Sequence, residues 1–200
     1  MPKLAHLKFN DLAPDIPVLD ADGKTISLSA LWKPRTLVLA FTRHFGCPQC
    51  KEMMDELHNV RPELETRGLA LAIVTQGTPE QAKRFCAERA AGATCLADPD
   101  RRVYAAYGLG RGTTDQTLLS PRIWKSNRRV KQAKGFTPEP PPAGQDAFVM
   151  SATFIIGTDG RVRLPYYYED IADHPPVELL LKGVMGMDWS KPIEGSIEPK

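Results

Sequence analysis

Two cysteines with two residues between them, Cys47 and Cys50, follow an arginine and a histidine, Arg43 and His44, in the run Phe41-Thr-Arg-His-Phe-Gly-Cys-Pro-Gln-Cys-Lys51. A thiolate is a nucleophile, and a second thiol within reach can resolve what the first one forms. At this spacing on a helix start, two sulfurs can come within bonding distance. Pro48 suits the first helical position, where unpaired N–H groups and the helix dipole favour a thiolate. The amino-terminal cysteine of such a pair is usually the exposed one, so Cys47 is expected to attack and Cys50 to close the disulfide. The reverse order, with Cys50 attacking, stays open. Positive charge on Arg43 and His44 would depress the thiol pKa; the alternative is that Arg43 is a strand-end surface charge and His44 a loop residue.

The chain holds four cysteines, too few for a disulfide scaffold in a protein of this length. Cys86 falls with Ala82, Phe85 and Ala90 on one apolar helix face, and Cys95 follows the beginning of a strand. Both read as core residues. A four-sulfur zinc site is the competing use, since C-x-x-C is also a common ligand pair.

Around these residues lies a chain of 200 residues, 42% hydrophobic and 25% charged, ordinary values for one folded domain. A net charge of +2 gives no reason to expect a nucleic-acid partner. The amino terminus lacks a charged segment leading into an apolar run, and the longest apolar stretch, residues 37–41, is far too short for a bilayer. A cytoplasmic location without membrane attachment is the expectation.

The elements that would position the dithiol can be read in order. Residues 16–19 and 25–28 flank Asp22-Gly23, a hairpin signal. Residues 36–41 form a strand apolar throughout, fit for burial on both faces, and the C-x-x-C follows at once. Met53, Leu57, Val60 and Leu64 then make one helical stripe, with Pro62 expected to interrupt or kink its end. A second buried strand covers 69–75, and Thr78-Pro-Glu-Gln81 has the form of a capping box. Residues 94–97 lead into Asp98-Pro-Asp100, a helix start, with a stop at Gly108. Residues 109–146 look like an insertion: a basic helix with six Lys or Arg and no acid from Arg122 to Lys134, then the stiff Thr137-Pro-Glu-Pro-Pro-Pro142. The basic face is expected to be solvated. A second hairpin turns at Asp159-Gly160, Asp173 serves as a cap near His174, and a last helix runs from about 176 to 182. Tyr166, Tyr167 and Tyr168 are explained by strand propensity.

Four separated segments in this order resemble the alkyl hydroperoxide reductase and thiol-specific antioxidant family, the peroxiredoxins and their thioredoxin-like relatives. They are Leu12 to Gly23, Leu37 to Phe41, Asp98 to Gly108 and Thr153 to Arg163, and Phe41 to Lys51 is especially similar to a peroxiredoxin-like branch with a C-x-x-C. The resemblance implies an α/β, thioredoxin-like fold: a mixed central β-sheet flanked by helices, with an N-terminal hairpin and an insertion before the closing hairpin. Residues 1–183 would form the domain and 184–200 a tail. Two departures stand out. Typical peroxiredoxins carry Pro-x-x-x-Thr-x-x-Cys, whereas here Cys47 precedes Cys50 by three and His44 precedes Cys47 by three. Typical thioredoxins place a proline before the strand facing the dithiol, and Ser151-Ala152-Thr153 has none.

The implied activity is reduction of a hydroperoxide or related oxidised substrate, with no cofactor and a thioredoxin-type or other dithiol as reductant. Disulfide exchange on proteins and a non-catalytic redox sensor or zinc binder are the alternatives. Peroxiredoxins also hold the thiolate and peroxide with an arginine from a distant segment, and Arg122 is the residue that best matches it.

Overall fold

In the computed structural model, which describes residues 5–191, β1 (Pro17–Asp20) and β2 (Thr25–Ser27) pair antiparallel across the Asp-Gly turn. A single turn, α1 (Ser29–Trp32), leads to β3 (Thr36–Phe41), whose six residues are all buried. The long helix α2 (Pro48–Thr66) follows. Then come β4 (Leu69–Thr75), α3 (Pro79–Arg89), β5 (Thr94–Ala97) and α4 (Arg102–Ala106). A π-type turn at Asp115–Leu119 runs into α5 (Pro121–Lys134), and the chain closes with β6 (Ala152–Ile156), β7 (Val162–Tyr167) and α6 (Val177–Lys182).

The strands form one sheet in the order β2-β1-β5-β4-β3-β6-β7. β3, β4 and β5 run parallel, as helical crossovers require, and the flanking hairpins add antiparallel strands at both edges. Because side chains alternate along a strand, β3 sends Leu37, Leu39 and Phe41 to one face, where they meet Tyr104, Tyr107 and Phe154. Val38 and Ala40 go to the other face with Met54, Leu57, Phe85 and Leu180. Burial on both sides is why β3 contains no alternation of polar residues.

Local signals behave as their chemistry dictates. The Thr78 hydroxyl accepts the Gln81 N–H at 3.3 Å while the Gln81 side chain accepts the Thr78 N–H at 3.1 Å, completing the capping box. The Asp98 carboxylate accepts three N–H groups, from Arg102, Val103 and Tyr104, at the start of α4. Gly108, at φ +73°, ends that segment in a conformation open to glycine.

Several expectations are corrected. Of the two outcomes expected at Pro62, interruption does not occur: α2 continues to Thr66, with fully buried Leu64 anchoring the last turn and the Thr66 hydroxyl donating to the Pro62 carbonyl at 2.9 Å. Cys86 and Cys95 lie in the core as expected, yet they are not thiols: a disulfide joins α3 to β5 with 6.4 Å between their Cα atoms. That pairing also removes them as third and fourth ligands of a zinc site. Asp173 is not a helix cap. Its carboxylate accepts from the Tyr166 hydroxyl, Arg122 and the Glu169 N–H. The segment after Gly183, read as a tail, is packed down over its first part: Trp189 is buried, and its indole donates to the Leu179 carbonyl at 3.1 Å. Residues 192–200 lie outside the described residues. No helix among the described residues is long and apolar enough to cross a membrane.

Candidate active site

The carboxyl ends of β3 and β4 meet the segment entering β6 at one rim of the sheet, the position where parallel α/β sheets hold their ligands. At this rim the loop from Thr42 to Cys47 is fixed by long-range hydrogen bonds as well as by local ones, among them the Cys47 N–H donating to the His44 carbonyl at 3.0 Å. The buried Tyr104 hydroxyl donates to the carbonyls of Thr42 and Val74. The Gln76 amide donates to the Arg43 carbonyl at 2.6 Å and clamps Asp146 through both its backbone groups. Gln145 accepts the Phe45 N–H at 3.0 Å, and the Phe45 ring stacks on Phe85 at 4.1 Å.

On this base Cys47 occupies the N-cap of α2, with Pro48 at the first helical position and Cys50 in the first turn. Both sulfurs are free thiols and both residues are buried. Arg43 reaches each of them: its backbone N–H donates to the Cys50 sulfur at 3.3 Å and its Nη1 to the Cys47 sulfur at 3.4 Å. The rest of the guanidinium donates to the carbonyls of Val149 and Ala147. Arg43 is buried, and among the described residues it makes no ion pair with a carboxylate. A buried cation requires a countercharge, and the group in position to supply it is the Cys47 thiolate.

The two thiols are driven apart electrostatically. Burial alone would push Cys47 up, but a hydrogen bond from the Cys50 thiol and the Arg43 charge more than reverse this and bring it down to about 6. Cys50 moves well above its ordinary range, through burial, its hydrogen bond to Cys47 and the negative charge on that neighbour. One sulfur is therefore charged at neutral pH while the other keeps its proton.

His44 does not play the expected electrostatic part. Burial, with the charges of Arg43 and Lys51 close by, lowers it to about 4, so it is neutral at pH 7 and lends no positive charge. Its Nδ1 accepts the Gly46 N–H at 3.2 Å and so shapes the loop. Arg122 is not at the sulfurs either. On the first turn of α5 it faces the acids after β7, 3.2 Å from Asp173, 3.5 Å from Asp170 and 3.6 Å from Glu169. The guanidinium at the thiolate is that of Arg43, four residues before Cys47, and not one from a distant segment.

The 109–146 segment is built into the site. Gln49, between the two cysteines, sets its side-chain oxygen 3.6 Å from the Cys47 sulfur, a hydrogen bond that only the protonated thiol can donate, and itself donates to Asn127 of α5 at 2.6 Å. Arg129 of α5 grips buried Glu52 of α2 through two bonds of 2.7 and 2.6 Å, so the basic helix is not simply a solvated face. The proline-rich strap lies over Gly46: the Glu139 N–H donates to the Gly46 carbonyl at 3.0 Å, and the Glu139 carboxylate pairs with Lys51 at 2.7 Å. Gln49, Gln76, Gln145 and Glu139 have no motif of their own, and the one signal within the sequence is that Gln49 falls inside the C-x-x-C.

Gly46 is required by this closeness. A Cβ there would lie 2.7 Å from the Pro140 carbonyl oxygen and collide with that of Glu139, both backbone atoms that cannot swing aside. A Gly46→Val protein is expected to lift the strap, and in a Cys50→Ser background its Cys47 should react several-fold faster with a bulky maleimide at pH 7. Equal labelling rates would show that the strap does not guard the sulfur.

A dithiol on the first turn of the helix after the central strand, split into one thiolate and one thiol, on a mixed sheet with an N-terminal hairpin, defines a thioredoxin-like fold of the peroxiredoxin kind. Comparison with known proteins agrees: the model for the AhpC/TSA family matches residues 9–164, and the chain belongs to that family. Peroxiredoxin-like 2C of Mus musculus is 27% identical over 179 residues, covering 84% of this chain and 76% of the mouse protein. Thioredoxin-like protein AAED1, chloroplastic, of Arabidopsis thaliana is 28% identical over 174 residues, covering 84% of this chain and 69% of its own. Among solved structures, a peroxiredoxin-like protein from Aquifex aeolicus superposes with a TM-score of 0.61 at 20% identity, covering 88% of this chain and 85% of that one. Peroxidoxin BcpB from Mycobacterium tuberculosis gives 0.57 at 22% identity, covering 78% and 83%.

Proposed function

We propose that the protein is a thiol peroxidase in which Cys47 attacks a hydroperoxide and Cys50 resolves the product. The observation that carries this reading is the unequal pair: a buried sulfur pulled down to about 6 against the Arg43 guanidinium, beside a thiol held protonated. In the first step the thiolate takes the terminal oxygen of ROOH. The O–O bond breaks, the sulfur is oxidised to a sulfenic acid, and the alkoxide leaves and takes a proton from water. In the second step the Cys50 sulfur attacks the sulfenic sulfur, a disulfide forms and water leaves. An external dithiol of the thioredoxin type then reduces the disulfide and is itself oxidised. A cytoplasmic setting, in which such dithiols are kept reduced, is part of the same proposal.

A small oxidant suits the site better than a protein disulfide. In the reduced protein Cys47 is only 1% exposed and lies under the proline-rich strap, so a small oxidant reaches it directly, whereas a folded partner, including a protein dithiol that reduces the Cys47–Cys50 disulfide, reaches the sulfurs only when the strap moves aside. The test is single-turnover oxidation of the reduced protein. One equivalent of hydroperoxide should convert Cys47 and Cys50 to a disulfide within seconds at pH 7, read by mass spectrometry after alkylation. Oxidation no faster than that of free cysteine would sink the proposal.

A further inference from the structure

Among the described residues seven large apolar side chains stand exposed, and three of them fall within one short span: Leu118, Leu119 and Trp124, at 51%, 53% and 60% exposure. Leu118 and Leu119 end the π-type turn, and Trp124 lies on the first turn of α5. The Trp124 indole N–H donates to the Leu118 carbonyl at 2.9 Å, which ties the turn to the helix. It also leaves the ring with no polar group that needs water, so the indole can enter an apolar phase without orphaning a donor.

The charge beside this cluster is one-sided. Residues 115–134 hold six Lys or Arg and one acid, Asp115. The face of α5 opposite buried Ile123, Ser126 and Val130 carries Lys125, Arg128 and Lys131 next to Trp124, at helical spacings of three and four. None of these three cations has an ion-pair partner among the described residues. Arg122 and Arg129, on the flank of the same helix, face Glu169, Asp170, Asp173 and Glu52, so the acids at hand are already matched. The outward face keeps its positive charge.

Exposed aromatic and aliphatic groups at the end of a row of unpaired cations have the two components of a peripheral membrane site: apolar side chains for the headgroup and acyl boundary, and charge for anionic headgroups. A nucleic acid would engage the cations and leave both leucines in water. An acidic protein would need its own apolar area set against all three side chains, whereas an anionic bilayer offers both partners in one surface. We infer that the outer face of the π-type turn and α5 docks this protein onto an anionic lipid surface, with Trp124, Leu118 and Leu119 entering the interface and Lys125, Arg128 and Lys131 meeting the headgroups. No helix among the described residues can cross a bilayer, so the attachment is peripheral. It needs neither thiol and stands apart from the peroxidase reading.

Trp32 and Trp189 are buried, so of the three tryptophans Trp124 is the one whose surroundings binding would change. The full-length protein is titrated at low salt with vesicles of phosphatidylcholine alone and of an equal mixture of phosphatidylcholine and phosphatidylglycerol. With the mixture, tryptophan emission should move to shorter wavelength, acrylamide should quench it less, and the protein should sediment with the vesicles. Each cation near an anionic surface strengthens binding roughly five-fold, so three together contribute on the order of 100-fold. Partitioning onto phosphatidylcholine alone should be weaker by about that factor, and so should partitioning of the combined Lys125→Gln, Arg128→Gln, Lys131→Gln variant onto the mixture. Trp124→Ser with Leu118→Ser should lose about ten-fold or more in sedimentation. These positions are solvent-facing and their replacement leaves the core intact, as an unchanged circular dichroism spectrum would verify. Leu12→Ser, which removes an exposed apolar side chain elsewhere, should bind as the parent does. Equal partitioning onto both vesicles, partitioning onto neither, or parent-like binding by either surface variant would overturn the inference. So would vesicles that leave the emission unmoved while poly-L-glutamate shifts it, an outcome that assigns the face to an acidic polypeptide.

Discussion

A Cys47→Ser protein is expected to lose hydroperoxide consumption altogether, while Cys50→Ser should complete one oxidation and stop. The difference follows from the charge states of the two sulfurs. Cys47 is the one brought down to about 6, so most of it is thiolate at neutral pH, whereas Cys50 is pushed up and stays protonated. A serine hydroxyl at position 47 is neither ionised nor able to accept the peroxide oxygen in a stable sulfenic form. In Cys50→Ser nothing remains to condense with the oxidised Cys47, and a sulfenic acid should accumulate there in stoichiometric amount, trapped by a 1,3-dione and located by mass spectrometry. A trapped sulfenic acid on Cys50 in the Cys47→Ser protein would reverse the order of attack.

Replacement of Arg43 should have the next largest effect, and its signature lies in the pH profile more than in the rate at one pH. The Arg43 charge and hydrogen bond help hold Cys47 down against the burial that pushes it up. In Arg43→Met burial is less opposed, and the midpoint of the rise in oxidation rate with pH is expected to move from about 6 to well above neutrality. A shift of three units would cut the thiolate population at pH 7 by roughly 100-fold. The more basic sulfur is a better nucleophile and recovers roughly 16- to 32-fold of this, leaving a net loss of about three- to six-fold. Because Arg43 also satisfies the carbonyls of Ala147 and Val149, the methionine variant should be less stable. Arg43→Lys keeps the charge without the planar fork, so it should restore most of the low midpoint. A midpoint unmoved in both variants would remove Arg43 from the chemistry and leave it a structural role.

The features that were legible in the sequence are those written in neighbouring residues. An Asp-Gly turn between short apolar runs, an unbroken apolar strand, a Thr-Pro-Glu-Gln cap and a C-x-x-C each state their own local geometry, and β1–β2, β3, α3 and the start of α2 follow them. Other features depended on which distant residues meet. Arg43 and Arg122 are equally basic on paper, and only the fold shows that one is buried against the sulfur while the other faces three acids. Cys86 and Cys95 sit in apolar patterns that would suit two packed thiols as well as one disulfide, because free cysteine behaves as a small hydrophobe. Trp189, the one aromatic residue in the sequence after α6, was the available sign that this part of the chain packs down.

The insertion was the least legible part. Its basic run and proline-rich stretch were readable as a helix and a stiff loop, and α5 fits the first of these. Their destination was not, because Gln49 with Asn127, Glu52 with Arg129 and Lys51 with Glu139 are pairings across some 80 residues that no periodicity encodes. The same three contacts explain why an insertion next to the dithiol can shape what reaches it.

The Arg43 to Cys47 contact also bears on recycling. A buried guanidinium facing a thiolate favours the reduced protein, since closing the disulfide removes the negative charge and leaves the cation among carbonyl dipoles alone. Stabilising the reduced form raises the midpoint potential of the couple. The Cys47–Cys50 disulfide would therefore be an electron-hungry one, and its return to the dithiol by a low-potential donor should run downhill, so that the step restoring the enzyme is driven by the same cation that arms it.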